Sequence, residues 1–223
     1  MNISKIKGLK YPDEYFIKYF FKRGFHQSPP QTFLEFGAAN GNNLMLAYQY
    51  GHKVIGVDFD KESIQNAKDN FEKLGQSHPY NFYAADMRTF IKEHTNIEAD
   101  VFLLPNIINY ITTDDFITFL QESCQNNIMK SGADFFMRTR TIKDFRFGIG
   151  KEIAPNTFLM PEDYTITSEA GCINRFYQEH EIMDLLKQHL QLRDYYVFHL
   201  DCQNLQNGVT LLNSDIVVWG KIL

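Results

Sequence analysis

The chain has 223 residues, 44% hydrophobic and 22% charged, enough for one α/β domain with a large core and too few for two full domains. That balance disfavours disorder and a membrane span, and a net charge of −5 argues weakly against nucleic acid as the main partner. The three cysteines, Cys124, Cys172 and Cys202, form neither a CxxC pair nor a metal-ligand spacing, so no metal is expected and the thiols read as buried or idle in a reducing compartment. Met1 to Lys7 lacks the apolar core of a secretion signal, which points to a cytoplasmic protein. Aromatics reach 15%, a pool that fills a core and can also line an apolar pocket.

Pro12 to Lys22 carries Tyr15, Phe16, Tyr19 and Phe20 at helical spacing, with Pro12 and Asp13 as start signals. Ser28-Pro29-Pro30 ends that segment and leads into a first strand, Thr32 to Phe36. Asn42 to Tyr50 reads as a helix stopped by Gly51, and Lys53 to Asp58 as a continuously apolar strand of the kind buried on both faces in parallel sheets. Lys61 to Leu74 is a helix with Asp60 as N-cap and Gly75 beyond its end. Strands follow at Tyr80 to Ala84, ending at Ala85-Asp86-Met87, and at Ala99 to Leu104, ending at Pro105-Asn106. A helix over Thr113 to Met129 has Asp114 and Asp115 in its first turn, and a fifth strand spans Ala133 to Arg138. The alternation then fails: Arg140 to Tyr177 holds turn signals and no long periodic segment. A helix from Gln178 to His189 and two strands, Leu192 to Leu200 and Ser214 to Ile222, joined by an Asn- and Gly-bearing loop, close the chain.

This order fits a doubly wound, Rossmann-like sheet of seven strands, mostly parallel with an antiparallel C-terminal pair, in one domain over residues 1–223. Residues 1–30 form an N-terminal cap and residues 140–177 an insertion that covers the substrate. In such sheets ligands lie beyond the carboxyl ends of the strands, where the loops starting at Gly37, Asp58, Asp86 and Pro105 all fall.

Gly37 and Gly41 lack Cβ and admit close approach and positive φ, and Ala38 and Ala39 are the next smallest choice. Backbone N–H groups here, at the start of the next helix, suit an anionic group such as a carboxylate, while Glu35, just before the loop, suits an ammonium. Asp58 ends the second strand about 20 residues after the first glycine, where a carboxylate accepts both hydroxyls of a ribose. Asp86 can accept from an exocyclic amine while Met87 packs on a purine face. The dinucleotide pattern G-x-G-x-x-G fails, because Ala39 and Asn42 stand at its second and third glycines, and this disfavours a dehydrogenase.

With those four loops the chain resembles the class I S-adenosylmethionine-dependent methyltransferases of small-molecule type. Their first motif, an acid followed by Gly-x-Gly-x-Gly, stands here as Glu35-Phe36-Gly37-Ala38-Ala39-Asn40-Gly41, with alanine for the central glycine. The ribose acid is Asp58, the third motif Asp86-Met87, and the fourth Leu104-Pro105-Asn106-Ile107-Ile108-Asn109-Tyr110. The resemblance implies S-adenosylmethionine as cofactor and S-adenosylhomocysteine as product. It implies a cofactor set of Glu35, Gly37, Ala38, Gly41, Asn43, Asp58, Phe59, Asp86, Met87, Pro105 and Asn106. The segment Tyr11-Pro12-Asp13-Glu14-Tyr15 resembles the helix that caps the cofactor in small-molecule members.

Methyl transfer from a sulfonium needs alignment and exclusion of water more than a catalytic residue, and a base only where the nucleophile must lose a proton. His180 and Tyr11 are the candidates for such a role. No Asn-Pro-Pro-Tyr element for amino-group methylation is present, and no acidic set marks a catechol-type metal site. The insertion brings Arg138, Arg140, Arg146 and Arg175 near Tyr177 and other aromatics, which with Tyr15 and Tyr110 form the expected substrate-binding set. Ordinary ion pairing of those arginines with Glu152, Glu162, Asp163 or Glu169 is the competing reading. The expected function is methyl transfer to a small polar or anionic molecule, by a monomer or homodimer with no nucleic-acid or membrane partner. The alternative is a catalytically silent cofactor-binding or partner-binding module.

Overall fold

The computed structural model describes residues 3–223, so Met1 and Asn2 of the expected N-terminal cap lie outside the described residues. Five strands alternate with helices: β1 (Thr32–Phe36), α2 (Asn42–Gln49), β2 (Lys53–Asp58), α3 (Lys61–Leu74), β3 (Tyr80–Ala84), α4 (Met87–Glu93), β4 (Ala99–Pro105), α5 (Thr113–Gln125) and β5 (Met129–Arg140). Helix α1 (Glu14–Lys22) precedes them, and α6 (Glu179–Leu190), β9 (Arg193–Gln206) and β10 (Val209–Lys221) close the chain. The strands form one sheet in the order β3-β2-β1-β4-β5-β10-β9, with β10 antiparallel to both neighbours.

Alternation along each strand explains the two core layers. Leu34, Phe36, Ile55, Val57, Phe102 and Leu104 face α4, α5 and α6, while Phe33, Val54, Val101 and Leu103 face α1, α2 and α3. Because both faces are covered, the central strands β1, β2 and β4 are mostly apolar. Glu35 of β1 is an exception, a carboxylate at 1% exposure.

Four departures from the sequence reading have physical causes. The short helix α4 goes unanticipated; Met87, Phe90 and Ile91 do give it an i, i+3, i+4 stripe, and Asp86 caps it by accepting the Arg88 N–H. Helix α5 stops at Gln125 rather than Met129, because Asn126 ends it and Asn127 turns with φ 51°, which lets β5 begin at Met129. The loop expected between the last two strands is instead a long hairpin, closed at Asn207 (φ 48°) and Gly208 (φ 78°), the positive-φ pair of a tight type I′ turn. The segment between β5 and α6 folds partly as a second sheet, in the order β6 (Lys151–Ala154), β7 (Thr157–Leu159), β8 (Ile173–Arg175).

Candidate functional site

The loop after β1 is built almost entirely from its own hydrogen bonds. The N–H groups of Gly37 and Ala38 both donate to the Val57 carbonyl at 2.8 and 3.1 Å, that of Ala39 to Asp58 Oδ2 at 2.9 Å, and that of Gly41 to the Ala38 carbonyl at 2.7 Å. These four amides are therefore spent within the loop, and the N–H groups that remain for an anion are those at the start of the next helix, α2, which has Gly41 as N-cap. Gly37 and Gly41 take φ of 73° and 76°, and a Cβ on Gly41 would lie 2.8 Å from the Phe71 ring. Ala39, standing where the motif has its central glycine, is held at φ 44°, so the loop keeps its shape at some cost in strain.

Asparagines Asn40, Asn42 and Asn43 tie the N-terminal segment across this loop. Asn40 donates to the Lys7 and Leu9 carbonyls and accepts from the Leu9 N–H, Asn42 donates to the Tyr11 carbonyl, and Asn43 Oδ1 accepts from the Asp13 N–H. The second group of Asn43, its Nδ2, donates to Glu35 Oε1 at 2.7 Å. Asn43, expected at the cofactor, thus holds Glu35 and the N-terminal segment in place. The other oxygen of Glu35 is buried without a protein partner. Burial pushes the Glu35 carboxyl up to about 8, with Asp58 and Asp13 adding to the rise and the Asn43 hydrogen bond opposing it.

A cavity of about 400 Å³ opens beyond β1, β2 and β3. Gly37, Asp58, Phe59, Asp86 and Met87 line it, as expected, and so do Arg88, Ile107, Tyr110, Ile111, Ser168, Glu169, Cys172 and Ile173. Asp58 has one hydrogen bond on each oxygen, from Ala39 N–H and from Asp60 N–H at 2.9 Å, leaving a lone pair on each for a further donor. Asp86 is gripped by Arg88, whose Nε and Nη2 donate at 3.1 and 2.9 Å, and this pairing holds its carboxyl below the usual range. Phe59 is 72% exposed at the cavity lip.

A second cavity, about 410 Å³, lies beyond β4, β5 and the turn-proximal half of the closing hairpin. Its walls include Asn106, Arg138, Arg140, Asp144, Arg146, Asn213 and Asp215. Arg138 stands level with Pro105 across the β4–β5 pairing and bridges Asp13 and Asp215 at 2.5 Å to each. Arg140 and Arg146 reach the two oxygens of Glu169 at 2.6 Å, and Arg146 also pairs with Asp144 at 2.9 Å. Tyr110 Oη donates to Glu169 at 2.9 Å and accepts from Arg140 at 3.1 Å. The cover arginines are thus ion-paired, and Glu169 is the acid the sequence reading named that takes two of them.

The remaining expected residues fall elsewhere. Arg175 and Tyr177 line neither of these two cavities: Arg175 donates to Thr113 at 2.8 Å and pairs with Glu181, its guanidinium lies 4.2 Å from the Tyr177 ring, and Tyr177 is buried against Phe116. Tyr15 packs 6.2 Å from Phe198, Tyr11 is 69% exposed, and His180 is exposed at the start of α6. Gly41, Ala38 and Pro105 shape the backbone from buried positions. Cys124 and Cys202 are exposed rather than buried, and among the described residues no group of His, Cys, Asp or Glu suits a metal ion. Sequence reasoning missed Ile107, Ile111 and Arg88; the first two lie in or beside the fourth motif, and Arg88 is signalled only by its place after Asp86.

The strand order and its flanking helices are those of the Rossmann-like methyltransferase fold. Residues 33–126 match the methyltransferase domain family, and with the fold this match supports a class I S-adenosylmethionine-dependent methyltransferase. Similar solved structures include an S-adenosylmethionine-dependent methyltransferase from Methanosarcina mazei (14% identity, 89% of this chain and 95% of that one, TM-score 0.63). Another is 1,6-didemethyltoxoflavin-N1-methyltransferase from Burkholderia thailandensis, with bound 1,6-didemethyltoxoflavin and S-adenosylhomocysteine (14% identity, 92% and 76% coverage, TM-score 0.57). A third is the N-methyltransferase NodS from Bradyrhizobium japonicum with S-adenosylhomocysteine (11% identity, 94% and 86% coverage, TM-score 0.59). No curated protein sequence matches the chain. Among the described residues no helix is long and apolar enough to cross a membrane.

Proposed function

We propose that the chain transfers a methyl group from S-adenosylmethionine to a small polar or anionic molecule in the cytoplasm, with the first cavity holding the cofactor and the second receiving the acceptor. The observation that carries this reading is the buried, unpartnered oxygen of Glu35, within the electrostatic reach of the Asp58 and Asp13 carboxylates. Of these three acids Asp58 lines the first cavity, and the negative field it shares with Glu35 and Asp13 favours a cation such as the ammonium or sulfonium of the cofactor. The free lone pairs of Asp58 suit ribose hydroxyls. Met87 and the Asp86–Arg88 pair bound the end of the cavity suited to a base.

The bound cofactor supplies an already activated methyl group. What the protein must add is alignment of the acceptor with the methyl carbon at about 3–3.5 Å and exclusion of water. Tyr110 and the apolar Ile107 and Ile111 form the wall of the first cavity, and the segment holding Ser168, Glu169, Cys172 and Ile173 closes over it. No side chain in either cavity is set up as a histidine base, so an acceptor that is nucleophilic without proton removal fits best.

Incubation of the protein with S-adenosylmethionine and fractionated metabolite pools tests this reading. Production of S-adenosylhomocysteine that depends on one small-molecule fraction is expected. Tight cofactor binding with no turnover in any fraction would instead favour a silent binding module.

A further inference from the structure

One carboxylate ties the walls of the two cavities together. Glu169 lines the first, and its partners Arg140 and Arg146 line the second. Its Oε1 lies 2.6 Å from Arg140 and 2.9 Å from Tyr110 Oη, and its Oε2 lies 2.6 Å from both Arg146 Nε and Thr167 Oγ1. Glu169, Arg140 and Arg146 are all more than nine-tenths buried. The three arginines of the second cavity differ in what else neutralises them. Arg138 has Asp13 and Asp215, and Arg146 has Asp144, but among the described residues Arg140 has Glu169 as its single carboxylate partner.

If the first cavity holds the cofactor, this wall blocks the reaction. An acceptor in the second cavity cannot come within bonding reach of a methyl group in the first while Glu169 and its partners stand between. Glu169 belongs to a stretch between β7 and β8 that has neither helix nor strand, so moving it breaks no ladder of backbone hydrogen bonds. Simple withdrawal would leave the Arg140 guanidinium buried and uncompensated, which is costly. Exchange for another carboxylate is nearly balanced, because the incoming group meets the same donors.

We propose that Glu169 stands in for a carboxylate of the acceptor: an acceptor bearing that group takes the place of Glu169 on Arg140 and Arg146, and this exchange joins the two cavities. The inference rests on the cofactor reading of the first cavity and adds to it a substrate class, small carboxylate-bearing molecules, and a specificity residue. Neutral molecules are rejected because they cannot replace the charge, and compact dianions and larger acids differ only in how they fill the second cavity.

Calorimetric titration with malonate, on protein saturated with S-adenosylhomocysteine, tests the exchange. Glu169→Gln keeps the shape and an amide partner for Tyr110 and Thr167 while freeing the arginines. The variant is expected to bind malonate roughly tenfold or more tightly than the wild type, and the double variant Glu169→Gln/Arg140→Gln is expected to lose that gain. Equal malonate affinity in wild type and Glu169→Gln, with S-adenosylhomocysteine affinity intact, would overturn the proposal and make Glu169 a fixed counter-ion. Should the variant not fold, hydrogen exchange on the wild type decides. Malonate is expected to speed exchange of the amides between Pro161 and Cys172, and unchanged or slower exchange there would count against it. Failure of wild type to bind S-adenosylhomocysteine would refute the cofactor reading separately, since the malonate titration is readable without it.

Discussion

The two sides of the carboxyl edge are built on opposite principles. On the β1–β2 side the walls are backbone: a loop locked by its own hydrogen bonds, glycines at positive φ, and acids that keep lone pairs free. On the β4–β5 side the walls are ion pairs, and every arginine there already has a carboxylate. The first arrangement suits the proposed cofactor, a ligand that is always the same. Under the exchange proposed for Glu169 the second trades partners, which suits an acceptor that differs from one methyltransferase to the next.

Loss of Asp58, the proposed ribose acid, is the largest effect expected on the rigid side. Asp58→Ala removes two acceptors for ribose and the anchor of Ala39 N–H, and cofactor affinity should fall by about 10- to 100-fold in a calorimetric titration. Unchanged affinity would mean that the cradle holds something else. Next comes the loop itself. Gly41→Ala forces a Cβ to 2.8 Å from the Phe71 ring at φ 76°, and should destabilise the protein by about 2 kcal/mol or more, read as a fall in denaturation midpoint at unchanged slope.

The charge of Glu35 gives an effect of intermediate size that is tied to pH. Its carboxyl is raised to about 8 from an ordinary 4.5, so the folded protein without ligand holds a proton there at pH 7. That contribution to stability is fully present below pH about 4.5 and is lost as pH rises through about 8. A cationic ligand favours the ionised form, so cofactor binding should release a proton below pH 8 and tighten as pH rises to that value. Titrations in buffers of different ionisation heat measure the proton count, and Glu35→Gln should abolish it. The smallest effect concerns Ala39. Relieving its φ of 44° with Ala39→Gly should stabilise the fold by about 1 kcal/mol or less, a rise of a few degrees in Tm. A fall would mean that the loop tolerates alanine without strain.

The same contrast governs what the amino-acid sequence reveals. Strands β1, β2 and β3 and helix α3 have the bounds that periodicity and capping predict, because both sides of β1 and β2 are buried and Asp60 and Gly75 mark the helix ends. Gly37, Asp58, Asp86 and Met87 meet on one cavity because the parallel register of β1, β2 and β3 brings their ends together. The second cavity is far less legible. Arg138, Arg140 and Arg146 do converge there, but their partners come from residues 13, 144, 169 and 215, and no local spacing announces such pairings. Arg175 and Tyr177 were expected beside them, yet Arg175 at the end of β8 reaches Thr113 and Glu181 of α5 and α6, and Tyr177 just beyond it packs on Phe116 of α5. The asparagines after Gly37 look like loop formers, whereas their amides anchor a segment some 30 residues earlier in the chain, for example Asn42 to Tyr11.

The most direct test of the central claim is protection against thermal unfolding by S-adenosylmethionine and by a nicotinamide dinucleotide, measured side by side on the wild-type protein. The acid-rich cradle predicts a concentration-dependent rise in Tm with S-adenosylmethionine and none with the dinucleotide. Protection by the dinucleotide alone would contradict it, and would assign the cavity beyond β1 and β2 to redox chemistry instead.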